Sequence, residues 1–67
     1  MDTIKRVQDL MQERDMNLCV LATKCGISYS TIQTTARRGG QLSVETIERI
    51  CLGLGITLKG FFDSSYL

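Results

Sequence analysis

Residues 17–38 read NLCVLATKCGISYSTIQTTARR, and the reading of this stretch decides the fold. Two short helices joined by a tight turn account for it. Ala22 and Gly26 are the informative pair. Two helices that cross near a right angle over a three- to four-residue turn need a small side chain where they touch and a flexible residue where the chain bends. Ala22 meets the first need. Gly26, free to adopt a left-handed conformation, meets the second by ending one helix and opening the turn. Leu21, Ile27 and Ile32 supply the apolar anchors. The second helix carries hydroxyl, amide and guanidinium groups and no carboxylate.

Working outward, one small pattern recurs four times: an apolar residue, a capping residue, and an apolar residue four beyond the cap. The instances are Met16-Asn17 with Leu21, Ile27-Ser28 with Ile32, Leu42-Ser43 with Ile47, and Ile56-Thr57 with Phe61. Each matches an N-cap with a hydrophobic staple, which satisfies orphan backbone N–H groups and sets how the chain enters a helix. Ahead of them, Ile4, Val7, Leu10 and Met11 lie at helical spacing, with Asp2 or Thr3 as the cap. The expected helices span 3–14, 18–25, 29–37, 44–53 and 58–63. Gly39-Gly40 should end the third, and Gly53 or Gly55 the fourth. No proline interrupts them and nothing alternates with period two, so the fold class is all-α, a compact bundle of five short helices in a single domain, residues 1–67. The expected core collects Ile4, Val7, Leu10, Met11, Leu18, Leu21, Ala22, Cys25, Ile27, Ile32, Val44, Ile47, Ile50, Cys51, Leu54, Ile56, Leu58, Phe61 and Phe62.

Composition narrows the function. The net charge of +1 conceals an asymmetry: no acid falls between Met16 and Val44, a window holding Lys24, Arg37 and Arg38, while the remainder has five bases and seven acids. A phosphate-facing surface needs such a window, because a carboxylate near a phosphate costs Coulomb energy. Three cysteines, an odd number without any histidine, argue against a disulfide scaffold and lack paired zinc-ligand spacing. Cys25 and Cys51 read instead as buried reduced thiols. No metal site and no cofactor is expected. With no histidine, no glycine-rich phosphate loop and no clustered carboxylates, the chain has no recognisable base–nucleophile set and is not expected to be an enzyme. Asp2, Lys5 and Arg6 lead into an amphipathic pattern, and no apolar run nears the ~18 residues that span a bilayer. A soluble cytoplasmic protein is expected.

The run Leu21-Ala22-x-x-x-Gly26-Ile27-Ser28-x-Ser30-Thr31-Ile32 resembles the helix-turn-helix of the phage Cro and repressor (XRE) family. Residues 44–51 and 54–58 are similar to that family's fourth and fifth helices, so the likeness covers residues 3–62. It implies a lambda-repressor-like domain that binds double-stranded DNA, a small transcriptional regulator of repressor type whose third helix enters the major groove. Carried over by position, Tyr29, Ser30, Thr34 and Gln33 are base-contact candidates. Asn17, Lys24, Ser28, Thr31, Arg37 and Arg38 are candidates for the backbone. Hydroxyls can donate or accept, and Gln can pair bidentately with adenine. The family's usual remedy for few phosphate contacts is a homodimer on a partly palindromic site, here through a C-terminal segment holding Phe62, Tyr66 and Leu67.

The chain also departs from the family pattern. Leu18 stands where a polar phosphate ligand is frequent, leaving that task to Asn17. Ala36 replaces an acidic residue near the end of the third helix, and Leu42-Ser43 stands where Pro often precedes the fourth. Ser28 has a second role open to it as a cap, and Arg37 and Arg38 as partners of a helix dipole. Cys19, Val20 and the apolar C-terminus fit a rival class: a helix-turn-helix that meets protein, such as an antitoxin-like or adaptor subunit.

Overall fold

The computed structural model describes residues 2–63. Its helices are α1 (Thr3–Glu13), α2 (Leu18–Cys25), α3 (Tyr29–Arg37), α4 (Val44–Leu54) and α5 (Leu58–Phe61), and the described residues include no strand. The bounds of α2 and α3 are those read from the sequence. Helices α1 and α5 stop one and two residues early, and α4 runs one residue further.

Three of the four repeated caps work as their chemistry requires. Asn17 Oδ1 accepts from Val20 N at 2.9 Å, Ser43 Oγ from Thr46 N at 3.2 Å, and Thr57 Oγ1 from Gly60 N at 2.9 Å. Asp2 caps α1 through Lys5 N. Ser28 is the exception: it occupies the N-cap position of α3 without a side-chain cap bond, its Oγ lying 2.9 Å from Ser30 Oγ. The apolar halves of all four staples nonetheless reach the core: Leu21, Ile32, Leu42, Ile47 and Phe61 are buried, and Met16, Ile27 and Ile56 pack against them.

The first four helices end in one common way. A residue with positive φ (Asp15, Gly26, Gly39 or Gly55) is followed by an amide that reaches back to a carbonyl five residues earlier. Ile27 N donates to Ala22 O and Ile56 N to Cys51 O, each at 3.0 Å, which satisfies carbonyls the helix itself leaves open. Gly55, not Gly53, terminates α4. Gly53 has another task inside the helix: a Cβ there would lie 2.9 Å from the Cα of Cys25, so a missing side chain lets α4 approach α2. This close seam is the broadest helix–helix contact of the fold.

The core holds Val7, Leu10, Leu21, Ala22, Cys25, Ile32, Leu42, Ile47, Ile50, Cys51 and Phe61. Ile4, Met11, Leu18, Ile27 and Leu54 line its edge, half-buried. Three expected members are exposed. Val44, at the first position of α4, points away from the stripe begun by Ile47 and is 66% exposed; Leu58 and Phe62 are exposed at the two ends of α5. The core gains Leu42, placed by its staple. It also gains a polar residue, Thr3, which is fully buried at the first turn of α1.

Candidate nucleic-acid interface

Helix α3 spends one side chain on the core. Ile32 is 3% exposed and Thr35 half-buried; Tyr29, Ser30, Thr31, Gln33, Thr34, Ala36 and Arg37 are all exposed, as are Ser28 before the helix and Arg38 after it. Nine residues at ~1.5 Å each make a rod of about 13 Å. Its outer surface offers hydroxyl, phenol, amide and guanidinium groups and no carboxylate.

Within that surface some groups are organised in pairs. Gln33 Nε2 donates to the Tyr29 hydroxyl one turn earlier, at 2.9 Å, and Ser28 and Ser30 share a hydrogen bond of the same length. Thr35 Oγ1 donates to Thr31 O inside the helix, which uses its one hydrogen and leaves it able only to accept. The hydroxyl of Thr34, between these groups, makes no intramolecular hydrogen bond among the described residues. Ion pairs join Arg14 to Glu13 and Arg49 to Glu45; among the described residues the guanidiniums of Arg37 and Arg38 and the ammonium of Lys24 are in no such pair. Arg37 and Lys24 both lie in the last turns of their helices, where their charge also complements the carbonyl end of the dipole. Asn17 uses Oδ1 as a cap, which leaves its Nδ2 as the group able to donate outward.

Two residues of this region carry no signal local enough for sequence reasoning. Arg49 of α4 reaches across to the turn: its Nη1 donates to Gly26 O at 3.2 Å while Nη2 holds Glu45 Oε1 at 3.1 Å. One guanidinium thus braces the bend between α2 and α3 and neutralises the carboxylate closest to it. Glu45 and Arg49 line a polar notch of about 230 Å³ together with Gly26, Ser28, Thr31 and Thr46. The acid-free window of the sequence is therefore bordered in space by an acid, with its own counter-charge. An i,i+4 spacing of Glu45 and Arg49 was the one available hint, and it pointed only to a surface pair.

The three thiols remain free cysteines, and they differ. Cys19 is exposed on α2 beside Val20, whereas Cys25 and Cys51 are buried at the α2–α4 seam. Burial pushes both buried thiols above their ordinary range, since an uncompensated thiolate there would lose its hydration. Lys24 acts weakly in the opposite sense on Cys25. The Cys25 thiol donates weakly to Ile50 O and the Cys51 thiol to Thr57 O. Both behave as small apolar side chains of the core.

A helical pair braced at its turn, with a polar and carboxylate-free outer helix, defines a helix-turn-helix protein of the DNA-binding class. Comparison with protein families then specifies the class: the Cro/C1-type HTH DNA-binding domain matches residues 6–63, and the chain belongs to that family. Its activity is DNA binding, in a family of transcriptional regulators. Searches of curated proteins and of solved structures each returned no match. No helix among the described residues is long and apolar enough to cross a membrane.

Proposed function

We propose that this protein is a small cytoplasmic transcriptional repressor, a single domain over residues 1–67 that binds a partly palindromic DNA site as a homodimer and lays α3 in the major groove. The observation that carries the reading is the exposure of α3. A nine-residue helix held by one fully buried side chain leaves most of its side chains exposed, and an α-helix about 10–12 Å in diameter fits a groove about 12 Å wide. Ser30, Thr34 and the Tyr29–Gln33 pair face base edges in this reading. Ser28, Thr31, Lys24, Arg37, Arg38 and Asn17 hold phosphates. So few cations give one copy too small an electrostatic grip for tight specific binding, which favours a pair of copies about one helical turn apart.

Exposed apolar groups away from α3 support a self-association surface. Leu52 is 83% exposed, and with Cys51, Gly55, Ile56 and Leu58 it lines a shallow groove between α4 and α5. Phe62 follows at the end of α5, 39% exposed, its ring edge set against Phe61. Tyr66 and Leu67, the other members of the expected C-terminal seam, lie outside the described residues. The rival reading, a helix-turn-helix that meets protein, is favoured by one feature, the exposed Cys19 and Val20 on α2 with Thr23 and Lys24 beside them.

Selection of bound sequences from a random duplex pool, followed by a salt titration on the winning site, tests the proposal. A partly palindromic consensus and an affinity that falls with salt, at about −0.9 in log–log slope per neutralised phosphate, is the expected result. Absence of an enriched sequence, with salt-independent association to a protein partner, would favour the rival.

A further inference from the structure

Because α3 has a single fully buried anchor, Ile32, its orientation is decided at its two ends. The bend from α2 is held by the Gly26 cap and by Arg49. At the other end the chain leaves through Gly39, with φ of +68°, and Gly40. Gly40 N bonds back to Thr35 O and closes the helix, but two successive residues without side chains add no packing to hold the exit. The chain is caught at the next two positions. Thr3 Oγ1 donates to Gln41 Oε1 at 2.7 Å, Thr3 N donates to the same oxygen at 2.9 Å, and Leu42 N donates to Thr3 Oγ1 at 2.9 Å.

The chemistry of this latch restricts it to one geometry. Thr3 is 0% exposed and is the one buried polar residue of the described chain. The Thr3 hydroxyl is fully buried and both donates and accepts, so an unmade bond there costs the desolvation of the group left behind. The Gln41 oxygen also satisfies Thr3 N, one of the amides at the start of α1 that the helix cannot pair. Leu42, buried beside it, fills the core at the same point. Gln41 follows Arg38 by three residues, so the latch holds the chain just after the two arginines that end α3.

We propose that Thr3 and Gln41 are positioning residues for DNA binding: their latch between α1 and the exit of α3 sets where Arg37 and Arg38 meet the phosphates. The inference rests on the reading of α3 as the DNA-facing helix. It assigns to the first turn of α1, which carries no DNA-contacting group in that reading, control over part of the electrostatic footprint.

The test uses the full chain and a fluorescein-labelled duplex of randomised sequence, with anisotropy read over a series of salt concentrations. Thr3→Val keeps the shape and removes the hydroxyl; Thr3→Ser restores it. Gln41→Ala, at an exposed position, removes the shared acceptor and serves where Thr3→Val does not fold by circular dichroism. The folded latch variants should bind about tenfold more weakly, the scale of one lost charge-assisted contact. Their salt slope should shrink by about 0.9, one phosphate's share, and Thr3→Ser should recover both. On an Arg37→Ala/Arg38→Ala background the latch variants should add little further loss, as expected of groups acting through the same contacts. An unchanged slope in folded variants, or a loss fully additive to that of the arginines, overturns the latch while leaving DNA binding intact. Wild-type protein that shows no salt-dependent binding removes the DNA-facing reading and the latch together.

Discussion

Helix α2 and helix α3 are neighbours of almost equal length, and they are held in opposite ways. Helix α2 buries Leu21, Ala22 and Cys25 and lies so close to α4 that Gly53 has no room for a side chain. Helix α3 buries Ile32 alone and is governed from its ends. Close packing fixes a scaffold because interiors tolerate neither voids nor added atoms. A recognition surface requires the reverse, side chains kept out of the core and available to a ligand. With α3 as the proposed DNA-facing helix, a chain of this size meets both needs: apolar burial is concentrated in one seam, and polar brackets hold the exposed helix at its ends.

The seam offers the largest effect. Gly53→Ala improves intrinsic helix propensity by ~1 kcal/mol, yet its Cβ meets the backbone of Cys25, which cannot rotate aside. Overpacking of ~1–3 kcal/mol should prevail, lowering the thermal midpoint by about 4–8 °C for each net kcal/mol. A melt followed by circular dichroism decides it, and an unchanged midpoint would show the two helices able to separate without penalty.

On α3 the effects should fall on binding and spare stability. Ser30→Ala or Thr34→Ala should change preference among sites by ~1–3 kcal/mol per base pair, read by competition between duplexes. Arg37→Ala and Arg38→Ala should weaken all sequences about equally, with stability within about 0.5 kcal/mol of the wild type. If these variants melt early instead, α3 contributes more to the scaffold than its burial indicates.

Smaller effects sharpen the same contrast through the thiols. Cys19 should react with a maleimide in the native state, and Cys25 and Cys51 only after unfolding, as mass spectrometry of the labelled chain would reveal. The folded-state pKa values of the two buried thiols are raised, so the unfolded chain releases those protons first. Their contribution to stability is therefore complete below the unfolded thiol range and declines as pH rises above about 9 toward the folded values. Denaturant midpoints over that interval should fall, and Cys25→Ala should reduce the slope. The least effect belongs to Leu52→Ser: at 83% exposure it should leave stability within about 0.5 kcal/mol, while sedimentation moves toward the monomer. An unchanged mass would remove the α4–α5 groove from the dimer.

The features legible in the residues alone are those whose partners lie within about five positions. Asn17, Ser43 and Thr57 cap helices by bonding amides three residues on, and Gly26 ends α2 through φ alone, a Cβ there meeting nothing. The staple residues Leu21, Ile32, Ile47 and Phe61 followed from the same local periodicity, and so did the family resemblance, since it is carried by those positions. Ser28 escaped this logic because its hydroxyl has an equally local competitor in Ser30. Asp15 escaped it too, adopting at the end of α1 the positive φ that glycine adopts at the ends of α2, α3 and α4.

What the sequence by itself determined, then, is the set of five helices, their caps apart from Ser28 and most of their apolar stripes, because each depends on short-range geometry that residue type dictates. Only the tertiary structure decided which faces meet. It set Gly53 against Cys25, left Val44 in solvent, carried Arg49 to the carbonyl of Gly26, and joined Thr3 to Gln41 across 38 positions. Those choices arise from shape and polar satisfaction in a closed core, where a contact is fixed by everything packed around it rather than by its neighbours along the chain.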